Sequence, residues 1–244
     1  MTVKAFKKLD KSFYIREDTV KIAKELIGKY LLTDIGGDGI TGGKIVETEA
    51  YLGAIDKASH GYGNRKTERN KNLYKEGGYA YVYFIYGMYY LFNVTTGRQN
   101  YADAVLIRAI EPEIGIDIML KRKENKTHKN KDRGRGIDRG NDRGINRGNG
   151  KGIGSFNRIT SGPGLLTIAL GIDLRHNGIP VCENNKINNT DKKKNGLEIW
   201  LEDRNINIPD EDIIETPRIG VGYAAEHALL PYRFKLKGNR WVSR

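Results

Sequence analysis

The sequence predicts an α+β fold: a single compact domain with a largely antiparallel, curved sheet surrounded by helices. Three observations carry this expectation. Between residues 30 and 109, short segments rich in Tyr, Val, Ile and Phe follow one another without a regular helix between them, which favours hairpin-linked strands over a doubly wound sheet. Helical signals are few and lie mainly outside that block. The length, 244 residues, with 38% apolar residues, suits one large domain able to bury a core.

Taken in order, Asp18 can cap a helix through Val20, Ala23, Leu26 and Ile27 that ends near Gly28. Residues 30–35, 44–51, 79–86, 89–96 and 103–109 read as strands. Gly87 marks a turn between the third and fourth of them. Gly162-Pro163-Gly164 precedes a helix over Leu165–Leu170. Residues 196–202 and 218–236 read as further strands.

The formal charge is +12, which points to polyanionic partners. It is unevenly spread. Twelve of the 42 Lys/Arg and four of the 30 Asp/Glu fall within residues 121–152, so eight of the twelve net charges lie there. This stretch contains the tandem repeat IDRG-NDRG-INRG over 137–148. A Gly at every fourth position costs a helix about 1 kcal/mol each against Ala, and little apolar surface is present to offset chain entropy. Residues 121–155 therefore read as a basic, disordered or weakly ordered insertion loop. The run GNGKGIG at 148–154 lacks the Gly-Lys-Ser/Thr ending of a phosphate loop.

No apolar run reaches the roughly 18 residues of a membrane span, and no apolar stretch follows the basic N-terminal residues as in a secretory signal. The single Cys182 forbids an internal disulfide and reads as a small buried hydrophobe. An intracellular home and no metal centre are expected, because His60, His128, His176 and His227 form no ligand spacing.

Three segments could carry chemistry. In IVETEAY, residues 45–51, Glu47, Glu49 and Tyr51 share one strand face. That face is either a catalytic wall or a solvated outer surface. In YAYVYFIYGMYY, residues 79–90, six of the fourteen tyrosines are concentrated. They form either a stacking platform for bases or a core strand with hydroxyls reaching water. The loop HGYGNRKTERNKN, residues 60–72, sets Arg65, Lys66, Arg69 and Lys71 against Glu68. It suits phosphate contact, or is an ordinary solvated loop.

Taken together, KIVETEAYLGAIDKASH (44–60), RKTERN (65–70), YVYFIYGMYYLFN (81–93), AVLIRAIEP (104–112), SGPGLLTIALGI (161–172) and RIGVGYA…PYRF (218–234) resemble the alkyladenine (3-methyladenine) DNA glycosylase family. Order and spacing hold over nearly the whole chain outside 121–155. The resemblance implies a monofunctional enzyme of base excision repair, with no lyase step and no cofactor. Such an enzyme flips a damaged purine out of duplex DNA and hydrolyses its N-glycosidic bond with water. The substrates implied are 3-methyladenine, 7-methylguanine, and hypoxanthine or ethenoadenine.

By position, Glu49 is similar to the family's general base, and Arg108 to the arginine that helps hold the attacking water. Tyr51, His60 and Tyr83 match the side chains that enclose the base. Asn93 matches the asparagine that selects against normal purines. Tyr86 matches the wedge that fills the vacated stack, and Arg65, Thr67, Arg69 and Met88 fall where the family meets the DNA strand. The family commonly has Asn before and Lys after its Gly-Pro-Gly, where this chain has Ser161 and Leu165. A monomer acting on double-stranded DNA, with no membrane partner, is the implied state. Two other classes fit single segments: a nucleic-acid-binding module acting through the Arg-Gly tract, and a sugar hydrolase using Glu47 and Glu49.

Overall fold

The computed structural model describes residues 6–133, 158–182 and 196–243. Its elements are β1 (Lys7–Lys8), α1 (Lys11–Tyr14), α2 (Thr19–Glu25), β2 (Tyr30–Ile35), β3 (Ile40–Leu52), β4 (Ala80–Ile85), β5 (Tyr89–Thr96), β6 (Asp103–Ile114), α3 (Ile116–Arg133), α4 (Pro163–Leu170), β7 (Leu197–Asp203), β8 (Ile213–Thr216) and β9 (Arg233–Leu236). The sheet runs β1-β7-β2-β3-β6-β5-β4, with β9 added to β3 and β8 to β9. Every pairing of these strands is antiparallel. The domain is α+β, as expected.

The long strand β3 positions the site. Its first half pairs with β2, its residues 47–49 pair with β9, and β6 runs along its other edge. The register against β6 shifts on both sides of Glu47. Such bulges bend a strand and re-aim side chains. Val46, Thr48 and Ala50 are fully buried on the core side, beneath α2, whose Ala23 carbonyl accepts from the Thr48 hydroxyl at 2.8 Å. Asp18 caps α2 by accepting from the Lys21 N–H.

Helix α4 starts with Pro163 at its first turn and ends on Gly171, at φ 68°. Its Leu166, Ala169 and Leu170 enter the main core with Met119 of α3. Helix α3 extends into the stretch read as loop. Residues 116–133 contain neither Gly nor Pro, and Ile116, Met119 and Leu120 anchor the first turns. Gly begins to recur only at 134, so the change in charge at 121 preceded the change in backbone propensity. Residues 134–155 of the tract lie outside the described residues.

One assignment is corrected. Of the span 218–236, only Arg233–Leu236 is strand. Gly222–Leu229 winds as 3-10 turns broken at Ala225, at φ 49°. Gly220, at φ 79°, and Pro231 interrupt any extended run. The four-residue β8, between Pro209 and Pro217, was not expected.

Asp103 opens β6 and accepts from the Thr19 hydroxyl at 3.3 Å. Burial pushes its carboxyl up to about 6 from 3.8. The fold thus favours the protonated form, and the resulting penalty is full above about pH 6 and vanishes as pH falls towards 4. Asp103→Asn is expected to raise stability by roughly 1–3 kcal/mol at pH 7.5. Thermal melts across pH should show the gain shrinking to nothing near pH 4.

Candidate active site

A cavity of about 430 Å³ opens where β4, β5 and β6 meet the loops 51–62 and 218–223 and the start of α4. Small-molecule sites occupy roughly 300–1,000 Å³. The wall is mostly aromatic and aliphatic: Tyr51, Tyr81, Tyr83, Leu91, Leu106 and Val221 all face it. Strand alternation puts Tyr81 and Tyr83 on this face, with ring centroids 5.4 Å apart. The His60 ring stands 4.6 Å from Tyr83, and its Nδ1 lies 2.9 Å from the Tyr81 hydroxyl. The His60 side chain is open to the cavity, yet the surrounding protein, followed by the charge of Arg69, pushes its pKa below the usual 6.5. It is therefore neutral at pH 7. Asn93 is buried in the wall, its Nδ2 donating to the Tyr81 carbonyl at 3.2 Å.

The two glutamates of β3 are not on a solvated face; both are fully buried. Their surroundings differ. Glu47 Oε1 accepts from Arg108 Nε at 2.7 Å, from Arg233 Nε at 2.7 Å and from the Ser243 hydroxyl at 2.8 Å. Its Oε2 accepts from the Ser243 N–H at 2.6 Å. Burial alone would raise this carboxyl, but Arg108, the Ser243 N–H and Arg233 hold it below the usual range. Glu47 is a fixed anion that anchors two arginines and the C-terminal segment.

Glu49 has fewer partners. Its Oε1 accepts from the Ile219 N–H at 2.8 Å and lies 3.2 Å from Arg108 Nη1. Among the described residues, its Oε2 accepts from the Tyr51 hydroxyl alone, at 2.8 Å. Burial, with Glu49 next, raises the Tyr51 pKa, so this phenol keeps its proton and donates. Tyr51 and Arg108 both line the cavity, which places the Oε2 side of Glu49 immediately behind its wall.

At the cavity rim, Tyr86 and Gly87 turn β4 into β5 with φ of 53° and 68°. The Met88 N–H closes the turn on the Ile85 carbonyl at 3.2 Å. Mirror-image turns favour Asn-Gly, and a left-handed tyrosine costs about 1–2 kcal/mol. This strained tyrosine lines the rim and is 79% exposed. Met88 is also exposed. Lys126 of α3 donates to the Met88 carbonyl at 2.6 Å, tying α3 to this turn.

Arg65, Thr67 and Arg69 lie outside the cavity on an exposed loop. Its organiser is the buried Asn70, which sequence reasoning missed. Its Oδ1 accepts from the Thr67 N–H and hydroxyl at 2.7 and 3.0 Å, and its Nδ2 donates to the His60 and Arg65 carbonyls at 2.9 and 2.8 Å. Arg69 holds the loop to β4 by donating to the Phe84 carbonyl at 2.9 Å. At Gly-Pro-Gly, Ser161 bridges Ala109, and Gly162 to Leu165 line the cavity.

The chain matches the model of the methylpurine-DNA glycosylase family over residues 12–240. The chain belongs to that family. Curated members of the methylpurine-DNA glycosylase family resemble it along nearly its whole length. A Clostridium perfringens protein named "Putative 3-methyladenine DNA glycosylase" is 41% identical over 97% of this chain and 99% of its own. Proteins of the same name from Chlamydia felis and Alkaliphilus oremlandii are 40% and 36% identical, over 93% and 97% of this chain and 95% and 99% of theirs.

The site's chemistry is that of charge and aromatic surface. Among the described residues no group of three His, Cys, Asp or Glu side chains is arranged to hold a metal. No described helix is long and apolar enough to cross a membrane. Arg233 and Ser243 were missed as partners of Glu47. The first was visible only as part of PYRF, and no local pattern marks the second.

Proposed function

We propose that the chain is a monofunctional DNA glycosylase of base excision repair. It extrudes an alkylated or deaminated purine into the aromatic cavity and hydrolyses the N-glycosidic bond with water activated by Glu49. The observation that carries this is the unequal partnering of the two buried carboxylates. Glu47 takes four donors, and its Oε2 is held by the Ser243 N–H, away from the residues that line the cavity, whereas Glu49 Oε2 accepts from Tyr51, which lines it. Of the two, Glu49 is the one whose Oε2 meets a cavity-lining partner, and it is the one that takes the water. Arg108, touching Glu49 from the cavity wall, steadies the carboxylate and that water.

The base would lie between Tyr51 and the His60/Tyr83 pair. Electron-rich rings and a neutral imidazole suit a cationic methylated purine, which is already a good leaving group. Asn93, pinned on the Tyr81 carbonyl, restricts which purine edges fit. Tyr86 and Met88 enter the duplex where the base leaves. Arg65 and Arg69 meet phosphates, while Thr67, whose hydroxyl is engaged by Asn70, shapes the loop that presents them. The enzyme needs no cofactor, acts as a monomer where DNA is, and forms no covalent intermediate. The likeness in name of the relatives, which are described as acting on 3-methyladenine, supports the same substrate class.

The test is a duplex with one 7-methylguanine or hypoxanthine. Free purine and an alkali-labile site, without strand cleavage before alkali, are expected. Intact lesions after prolonged incubation with excess enzyme would refute the reading.

The strained turn gives a second result. Tyr86→Gly relieves the left-handed backbone and removes the wedge. Melting temperature is expected to be no lower than wild type, while excision from duplex falls at least about tenfold, the loss of roughly one stacking contact. Excision from a duplex with the lesion opposite a gap should fall less, because no stack must be refilled.

A further inference from the structure

Arg218 is buried behind the cavity, outside the residues that line it. Its guanidinium forms a forked pair with Asp56: Nη1 donates to Oδ2, and Nη2 to Oδ1 at 2.9 Å. Nη1 also donates at 2.8 Å to the carbonyl of Ala50, the residue between Glu49 and Tyr51. Nη2 reaches the His227 carbonyl at 3.1 Å, which holds the 222–229 turns. The guanidinium carbon stands 4.7 Å from the Tyr51 ring centroid. The next residue, Ile219, supplies the N–H on Glu49. Asp56 in turn accepts from the Leu52 and Ala58 N–H groups at 3.2 and 2.9 Å, shaping the loop that leads to His60.

One buried pair therefore controls two of the three donors on Glu49, the Tyr51 hydroxyl and the Ile219 N–H. We propose that Asp56 and Arg218 are positioning residues for the reaction, and that Asp56 also sets the preference between cationic and neutral purines. Resting on the purine-pocket reading, the reasoning is electrostatic. A ring face attracts a cation. An uncancelled guanidinium on the far side of Tyr51 would oppose a cationic base on the near side. Asp56, fork to fork with Arg218, cancels that charge.

The experiment compares single-turnover release of 7-methylguanine, a cation when attached to its sugar, with that of hypoxanthine, which is neutral. Wild type, Asp56→Asn and Arg218→Lys are measured per folded, DNA-bound molecule. Asp56→Asn is expected to lower the 7-methylguanine to hypoxanthine ratio about 3–10-fold, the scale of one cation–π contact. Arg218→Lys keeps the charge but loses the planar fork and stack. It is expected to slow both lesions at least about tenfold, with duplex affinity within about twofold, as misplacement of a catalytic group does. If Asp56→Asn does not fold, Arg218→Lys decides. Wild-type rates and ratio in the variants, or losses that track only folded fraction or affinity, would overturn the proposal. A wild type that releases neither base would overturn the purine reading itself, a distinct outcome.

Discussion

Glu47→Ala is expected to lower the melting temperature by roughly 6–20 °C, from a loss of about 3–5 kcal/mol spread over a domain of this size. The reason is the asymmetry of buried charge. Glu47 is fully buried and serves as the shared acceptor of Arg108 and Arg233. Alanine would leave two guanidinium groups and the Ser243 N–H facing a void, with Glu49, 3.2 Å from Arg108, to take up part of the charge. The same pairing makes the fold acid-sensitive in a definite direction. Because the fold holds Glu47 below its ordinary value of 4.5, its stabilisation is complete above that pH and is lost as pH falls through the lower, folded value. Melts of the wild type and Glu47→Gln should therefore converge at acid pH and diverge above about 5.

Glu49→Gln is expected to reduce base release by about 10²–10⁴-fold, the ordinary range for loss of general-base assistance. The amide oxygen can still accept from the Ile219 N–H, so the wall of the cavity keeps its shape. What is lost is the ability to take a proton from water as positive charge builds on the sugar. The variant should bind lesion duplex as well as wild type does, and gel-shift titration beside quenched-flow release separates the two effects. The loss should be smaller for cationic than for neutral bases, because the former leave with less assistance.

Much of the sheet was legible because its strands are dense in β-branched and aromatic residues and are bounded by glycines. The strand over 30–35 and that over 89–96 coincide with β2 and β5. The end of the chain was not legible in this way. There, apolar residues at 218–236 look strand-like, but glycines at 220 and 222 bend the backbone around Glu49 instead. Residues 121–133 of α3 were hidden for the opposite reason: their charge resembles the Arg-Gly tract, while their backbone lacks the glycines. At the site, alternation put Glu47, Glu49 and Tyr51 on one face but could not tell a wet face from a buried one. Arg108, Arg233 and Ser243 decide that, from strands β6 and β9 and the C-terminal segment. Their separation from Glu47 in sequence, 61 residues for Arg108 and 196 for Ser243, makes such partnering invisible to local pattern.

The division of labour between two carboxylates on one strand is the centre of this account. Single-turnover release of 7-methylguanine by Glu49→Gln and Glu47→Gln, side by side and normalised to folded, duplex-bound enzyme, tests it most directly. Glu49→Gln should release this cationic base on the order of 10²-fold or more below wild type, and Glu47→Gln should retain a rate much closer to wild type despite its lower stability. A Glu49→Gln protein that turns over like wild type while Glu47→Gln is inert would contradict it.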